Sequence, residues 1–152
     1  MNEREELLAR LTDRDAKAAC AYADAVVAES QESDRYSPYL DDLTALLRHK
    51  NSLVRNRAIS ILAANARWDS KNRYDALMDE FLSHVTDEKP ITARRCVQAL
   101  WSISAAKPNL IPRIRSALES ADLTKYRDSM QPLILKDILN VLQEIAALEK
   151  GF

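Results

Sequence analysis

The sequence repeats itself with a period of about 35 to 38 residues. Residues 39–49 (YLDDLTALLRH) align with residues 74–84 (YDALMDEFLSH) at an offset of 35, and residues 110–120 continue the series at an offset of 36. The segment that follows repeats at an offset of 38, which pairs Leu53 with Ile91 and Leu62 with Leu100. A period of this length with two helices per unit is typical of α-solenoids. The repeat therefore predicts stacked helical hairpins.

Proline residues punctuate the chain where helices should begin. Ser37 precedes Pro38 as a predicted N-cap, and Pro90 and Pro108 mark two further starts. Thr12 and Asp15 resemble a capping box at the start of the second helix. We predict helices at about 3–11, 13–31, 38–49, 52–67, 71–85, 90–106, 108–120 and 130–149.

Glycine is almost absent from the chain. The single glycine among 152 residues is Gly151. Phosphate-binding loops, dinucleotide fingerprints and type I′ hairpins need glycine where the backbone takes a positive φ or approaches a ligand closely. The composition therefore argues against nucleotide-loop enzymes and favours an all-α fold. With 47% hydrophobic and 30% charged residues, residues 1–152 are predicted to form one soluble globular domain.

One segment resembles a known repeat family. Residues 51–65 (NSLVRNRAISILAAN) look like the second helix of a HEAT repeat, with its Val-Arg pair, small residue and aliphatic tail. The run from TDEKPITARRCVQAL (86–100) to DSMQPLILKDI (128–138) is similar to small bacterial HEAT-like proteins, some of which carry the label SufBD. That label suggests iron–sulfur assembly, but the chain lacks the cysteine clusters that such a site needs.

The resemblance implies an architecture and a binding side. It implies a short right-handed α-α superhelix whose first and last units act as caps with polar outer faces. An acidic turn residue is common in HEAT repeats where this chain has Asn51, which puts a ladder of Asp–Arg pairs in doubt. In HEAT-like folds the second helices line the concave side, where partners bind. The four implied hairpins span residues 1–31, 37–67, 71–106 and 108–149.

Helical periodicity indicates which residues the second helices present to solvent. In the sixth predicted helix the core stripe contains Thr92, Cys96, Ala99 and Ile103, and Trp101 lies on the opposite side. Stacking of the units aligns Asn56 with Arg94 and Lys136, and Ala63 with Trp101 and Gln143. Two interpretations stay open: a partner-binding face, or a solvated face with Trp101 packed between repeats. The candidate partner-binding residues are Asn56, Arg67, Arg94, Gln98, Trp101, Lys136 and Gln143.

Two further arginines and a turn are predicted to have structural rather than binding roles. Arg57 and Arg95 lie at the edge of the buried stripe and are expected to pair with acids such as Asp79 or Glu80. Trp68 is predicted to lie in a turn in which Asp69 or Ser70 caps the next helix.

The sequence predicts no catalytic, cofactor or metal site. His49 and His84 end successive first helices, where histidine favours the helix dipole, and no ligand set surrounds either one. The residues needed by HEAT-like iron hydroxylases and by HEAT-like DNA alkyl-base glycosylases are missing. Cys20 and Cys96 are predicted to be buried thiols two layers apart, too distant for a disulfide.

Charge and hydropathy limit the partners. The net charge of −1 and pI of about 6.1 create no field that attracts nucleic acid or anionic lipid. We see no signal peptide and no membrane span, and expect a cytoplasmic protein. The predicted function is a non-catalytic scaffold that binds a protein or peptide. The alternatives are a nucleic-acid-binding module that uses a row of arginines and, less favoured, an enzyme.

Overall fold

The computed structural model describes residues 1–151, and this part of the chain is all-helical, as predicted. Short 3₁₀ turns extend several of the helices, at 37–39, 66–68, 84–86 and 108–110. The positions agree with the predicted ones to within a few residues. The eight α-helices in residues 1–151 are α1 (Glu3–Leu11), α2 (Ala16–Ser30), α3 (Leu40–Leu46), α4 (Ser52–Asn65), α5 (Tyr74–Ser83), α6 (Pro90–Ala106), α7 (Ile111–Glu119) and α8 (Gln131–Lys150).

The even-numbered helices form one layer. Within this helix layer α2 packs on α4, α4 on α6 and α6 on α8. Helix α1 packs against α2, α3 against α4, and α7 against α6 and α8. The helix layer is continuous because each pair repeats the same buried positions. Thr92, Cys96 and Ile103 of α6 are fully buried, as the core stripe predicts, whereas Ala99 is half-buried. At an offset of 42, α8 repeats these positions with aliphatic residues, Ile134, Ile138 and Ile145, which are also buried.

Helix α4 is the most enclosed element of the fold. Since α2 and α6 flank it and α3 packs beneath it, 11 of its 14 residues are buried, including the charged Arg55 and Arg57. Its N-cap is Asn51, whose side-chain oxygen accepts a hydrogen bond from the Leu53 N–H at 2.9 Å. An asparagine at this position thus replaces an acidic residue as a cap without loss of the hydrogen bond.

The predicted capping box at the start of α2 is wrong. Asp15 is the N-cap of α2, and its carboxylate accepts a hydrogen bond from the Ala18 N–H at 3.1 Å. The Thr12 hydroxyl instead donates to the Leu8 carbonyl at 2.7 Å and so helps to end α1. The predicted cap at Ser37 differs as well, because this residue begins a 3₁₀ turn whose N-cap is Tyr36.

The prediction that Cys20 is buried is also wrong. The buried stripe of α2 consists of Ala19, Ala23, Val26 and Ser30. Cys20 follows Ala19 by one residue, which rotates it about 100° away from this stripe, and it is exposed. Cys96 is buried as predicted.

The last unit does not have the predicted polar outer face. Helix α8 exposes Leu135 and Leu139 by 48% and 56%. The buried isoleucines of α8 lie on its inner side. The exposed leucines therefore form a second apolar side on the same helix.

Candidate partner-binding surface

The side of α6 that faces solvent carries the residues that helical periodicity predicted. Gln98, Trp101 and Ala105 are all exposed there. The exposed fraction of Trp101 is 40%, which is large for a tryptophan in the middle of a 17-residue helix. The other tryptophan, Trp68, is half-buried, and its indole N–H donates to the Ser30 carbonyl at 2.8 Å. The two tryptophans therefore differ: one bonds to the fold, and the other contacts solvent.

Trp101 borders an open cleft between α4 and α6. The cleft has a volume of about 320 Å³, and Ala63 and Ala64 line it from α4. Arg67 lies at the same cleft, where its Nη1 donates to the Gln31 carbonyl at 2.8 Å. The structure therefore brings Trp101, Arg67 and Ala63 together as one surface, which we call the Trp101 cleft.

The predicted row of Asn56, Arg94 and Lys136 is arranged differently. Arg94 faces α8 rather than open solvent, because its Nε donates to Asp137 Oδ2 at 2.7 Å and its Nη2 to Asp137 Oδ1 at 3.4 Å. The hydrogen bond to Asp137 raises the pKa of Arg94. Asn56 is only 8% exposed because α4 is enclosed on both sides. Lys136 and Gln143 are exposed on α8.

The predicted partners of Arg57 and Arg95 are wrong. Arg57 reaches across the fold and donates to the Leu11 carbonyl at 2.8 Å. Arg95 donates to the Ser60 hydroxyl on α4 at 3.3 Å. The acids expected for them pair with other arginines, Glu80 with Arg48 and Asp79 with Arg113. Arg57 is buried and Arg95 is exposed, and sequence spacing did not show which neighbour lies within reach of either side chain.

A buried charge cluster at the turn before α6 was not predicted from the sequence. Arg55 of α4 forms a bidentate pair with Asp87, at 3.0 Å from Nε to Oδ2 and 2.8 Å from Nη2 to Oδ1. His84 Nδ1 lies 2.6 Å from Asp87 Oδ2, and the Lys89 N–H also donates to this carboxylate. Burial alone raises the pKa of Asp87, but the hydrogen bonds from His84, Arg55 and Lys89 outweigh it and hold the pKa well below its ordinary value.

The cluster explains the roles of the two histidines and of the Asp–Arg pair. His84 lies in the turn after α5, as predicted, but it bonds to a carboxylate rather than to the last carbonyls of the helix. His49 Nδ1 accepts a hydrogen bond from the Asn51 N–H at 3.0 Å. The Arg55–Asp87 pair joins the start of α4 to the turn before α6.

Asp69 bonds to the backbone at the start of α5, as predicted, but the N-cap residue of this helix is Arg73. Its carboxylate accepts hydrogen bonds from the N–H groups of Arg73 and Tyr74. Burial opposes ionisation of Asp69, but these hydrogen bonds and the nearby Lys107 ammonium lower its pKa.

An exposed apolar row also escaped the sequence reasoning. Leu53, Ile91 and Leu133 are exposed by 46%, 57% and 40%. They occupy the same position near the start of α4, α6 and α8, at the offsets of 38 and 42 that align these helices. The alignment of Leu53 with Ile91 was visible in the sequence. Two aliphatic residues at equivalent repeat positions are easily interpreted as core residues, unless their angular position around the helix is compared with that of the buried stripe.

The buried thiol of Cys96 is not set up for nucleophilic chemistry. Burial raises its pKa well above the ordinary value, and its Sγ contacts the Phe81 carbonyl at 3.3 Å. Among residues 1–151 no three His, Cys, Asp or Glu side chains come together as they would around a metal ion. The solvent side of the helix layer carries groups that suit binding rather than catalysis. They are the indole of Trp101 and the guanidinium of Arg67 at a cleft lined by alanines, with the exposed amides of Gln98 and Gln143.

Comparisons with family models, curated proteins and solved structures found no match to this chain. In residues 1–151 no helix combines the length and the apolar character that crossing a bilayer requires.

Proposed function

We propose that the chain is a short right-handed α-α superhelix of the HEAT-repeat type and that it acts as a non-catalytic scaffold. It binds a protein or peptide along a concave side formed by α2, α4, α6 and α8. Trp101 is the observation that carries this proposal, since it is 40% exposed and borders a cleft. Tryptophan and arginine are the residue types most enriched among interface anchors.

The chemistry of the Trp101 cleft favours a particular kind of partner. Apolar surface that leaves water contributes about 25 cal/mol per Å², so a partner that covers Trp101 with an apolar side chain gains from it. The exposed Arg67 guanidinium, held at one position by the Gln31 carbonyl, adds a donor for a carboxylate or carbonyl of the partner. Gln98, Lys136 and Gln143 supply further polar contacts on α6 and α8.

The nucleic-acid alternative is less well supported. A nucleic-acid ligand is held by basic residues that neutralise phosphates. Arg55 and Arg94, which occupy the same layer, are already paired with Asp87 and Asp137. Their charges therefore serve the contacts between helices, which leaves Arg67 and Arg95 as the exposed arginines of this layer.

The test begins with site-specific photo-crosslinking in the source cell. A photoreactive residue at position 98 lies on the solvent side of α6, and one at position 116 lies on the exposed side of α7 as a matched control. We expect a discrete crosslinked protein from position 98, identified by mass spectrometry, and none from position 116. The same product from both positions contradicts the proposed binding side.

The identified partner then allows a quantitative test. Trp101→Ala should weaken its affinity by at least ~2 kcal/mol, which is about 30-fold. A steep fall of affinity with salt and a nucleic-acid crosslink favour the alternative. Unchanged affinity of Trp101→Ala overturns the role of the cleft.

A further inference from the structure

The outer side of α8 carries an apolar stripe that the rest of residues 1–151 leaves largely exposed, with Leu142 alone packed in part against the core. Leu135 and Leu139 are exposed by 48% and 56%, Leu142 is half-buried and Ala146 is exposed. Their spacing of four, three and four residues places them on one side of the helix. We call these four residues the leucine stripe.

The equivalent positions of α6 are buried. At an offset of 42, the leucine stripe corresponds to four residues of α6 with no exposed surface. They lie on the α8 side of α6, since the adjacent Arg94 bonds to Asp137 of α8 while Arg95 bonds to Ser60 of α4, the other neighbour. These four residues of α6 are Ala93, Val97, Leu100 and Ser104.

The same relation holds one helix earlier. A further offset of 38 leads from Val97, Leu100 and Ser104 to Ile59 and Leu62 of α4 and to Ala66 of the 3₁₀ turn after it, each no more than 1% exposed, whereas Ala93 corresponds to Arg55, which is 7% exposed. Helix α6 packs on α4 and α8 packs on α6. The leucine stripe therefore continues an interface that the fold uses twice, at the point where no third helix follows within residues 1–151.

We propose that the leucine stripe is a second docking surface, which takes an amphipathic helix with an acidic residue from a partner protein. The inner side of α8 shows what such a surface accepts. It presents Ile134, Ile138, Val141 and Ile145 toward the core, with Asp137 placed to receive Arg94. The partner helix accordingly carries aliphatic residues at positions i, i+4, i+7 and i+11 and a carboxylate at i+3.

Charge complementarity supports this occupant over a second copy of the chain. Lys136 stands on α8 where Arg94 stands on α6, and it is exposed. A partner helix of the stated pattern supplies the carboxylate that Lys136 lacks. Two copies that meet through their leucine stripes are less well supplied, because on α8 Asp137 and Glu149 already bind Arg94 and Arg115, and Glu144 lies about 140° around the helix from Leu139. The leucine stripe adjoins Lys136, which the proposed concave side also uses, but it shares no residue with the Trp101 cleft, so binding of a helix to the stripe can be tested without that cleft.

A peptide derived from the chain itself tests this inference. The probe is a capped, fluorescently labelled peptide of residues 131–150 in which Leu133, Leu135, Leu139 and Leu142 are changed to Gln, so that the large apolar side chains that remain lie mainly on its inner side. Titration with the full chain, followed by fluorescence anisotropy, should show saturable binding. Leu139→Asp in the protein should weaken that binding by at least about tenfold, whereas Glu144→Gln, an exposed change elsewhere on α8, should leave it unaltered.

A charge reversal makes the test specific. Lys136→Glu in the protein should also weaken binding, and the peptide with Asp137→Lys should restore it. Circular dichroism should show unchanged helicity for each protein variant, since the altered side chains are exposed. The proposal is overturned by absent binding, by binding that Leu139→Asp does not change, or by failure of the charge reversal. It is also overturned if sedimentation shows a dimer that Leu139→Asp dissociates, because a second copy then occupies the stripe.

Discussion

The turn before α6 and the solvent side of α6 use polar residues in opposite ways. At the turn, Asp87 bonds to His84 and to Arg55 of α4, and the side chains of the Arg55–Asp87 pair are 9% and 3% exposed. On the solvent side, Gln98 and Trp101 face outward. Paired charges thus join neighbouring helices of the layer, while the exposed residues contribute little to the fold and are available to a partner.

Asp87→Ala should have the largest effect of the changes considered. It leaves the Arg55 guanidinium buried without a carboxylate, and loss of one partner of a buried pair costs about 3–5 kcal/mol. Urea denaturation measures this as a decrease in the free energy of unfolding. Asp79→Ala is the matched control, since its side chain is 93% exposed, and should change the free energy by no more than about 0.5 kcal/mol. Equal effects of the two changes would remove the distinction between the turn and the surface.

The Asp87 cluster should also make stability depend on pH. The pKa of Asp87 is lower in the folded chain than in the unfolded chain, where an aspartate titrates at about 3.9. The contribution of Asp87 is therefore present above about pH 4 and is lost as the pH falls toward the folded pKa. Unfolding measured from about pH 5 to pH 2 should show a steeper loss of stability in the natural chain than in Asp87→Asn. Parallel pH profiles would contradict this assignment.

Trp68→Phe should have an intermediate effect. The change removes the indole N–H and leaves the Ser30 carbonyl without this donor, for a cost of about 1–2 kcal/mol. Thermal and urea unfolding measure it. Trp101→Phe serves as the control because that indole faces solvent, and it should unfold like the natural chain. A larger loss for Trp101→Phe than for Trp68→Phe would reverse the roles of the two tryptophans.

The repeat and the prolines were enough to predict the helices, and helical periodicity placed Gln98 and Trp101 correctly on the solvent side. The partners of the charged residues could not be predicted in the same way. An arginine side chain reaches several neighbours, and whether Arg57 meets a carbonyl or a carboxylate depends on the distance between layers. Cys20 was misplaced because a shift of one residue in the assumed register rotates a side chain from the core to solvent.

The two cysteines provide a comparison that does not alter stability. Cys20 is exposed, whereas Cys96 is buried and burial raises the pKa of its thiol. Because the thiolate is the reactive form, a thiol reagent should label one cysteine in the native chain and the second only in denaturant. Peptide mapping should assign the fast label to Cys20. Rapid native labelling of Cys96 would contradict the described packing of α6.

The most direct test of the account is the stability of Trp101→Ala. If Trp101 belongs to a binding surface, its removal should change the free energy of unfolding by no more than about 1 kcal/mol, because little packing is lost. If Trp101 packs between the helices of the layer, the same change should cost roughly 3–5 kcal/mol through the cavity it leaves. Urea denaturation of this variant beside the natural chain distinguishes the two. We expect free energies of unfolding that differ by no more than about 1 kcal/mol, and a strongly destabilised Trp101→Ala would contradict the proposal that this side of α6 binds a partner.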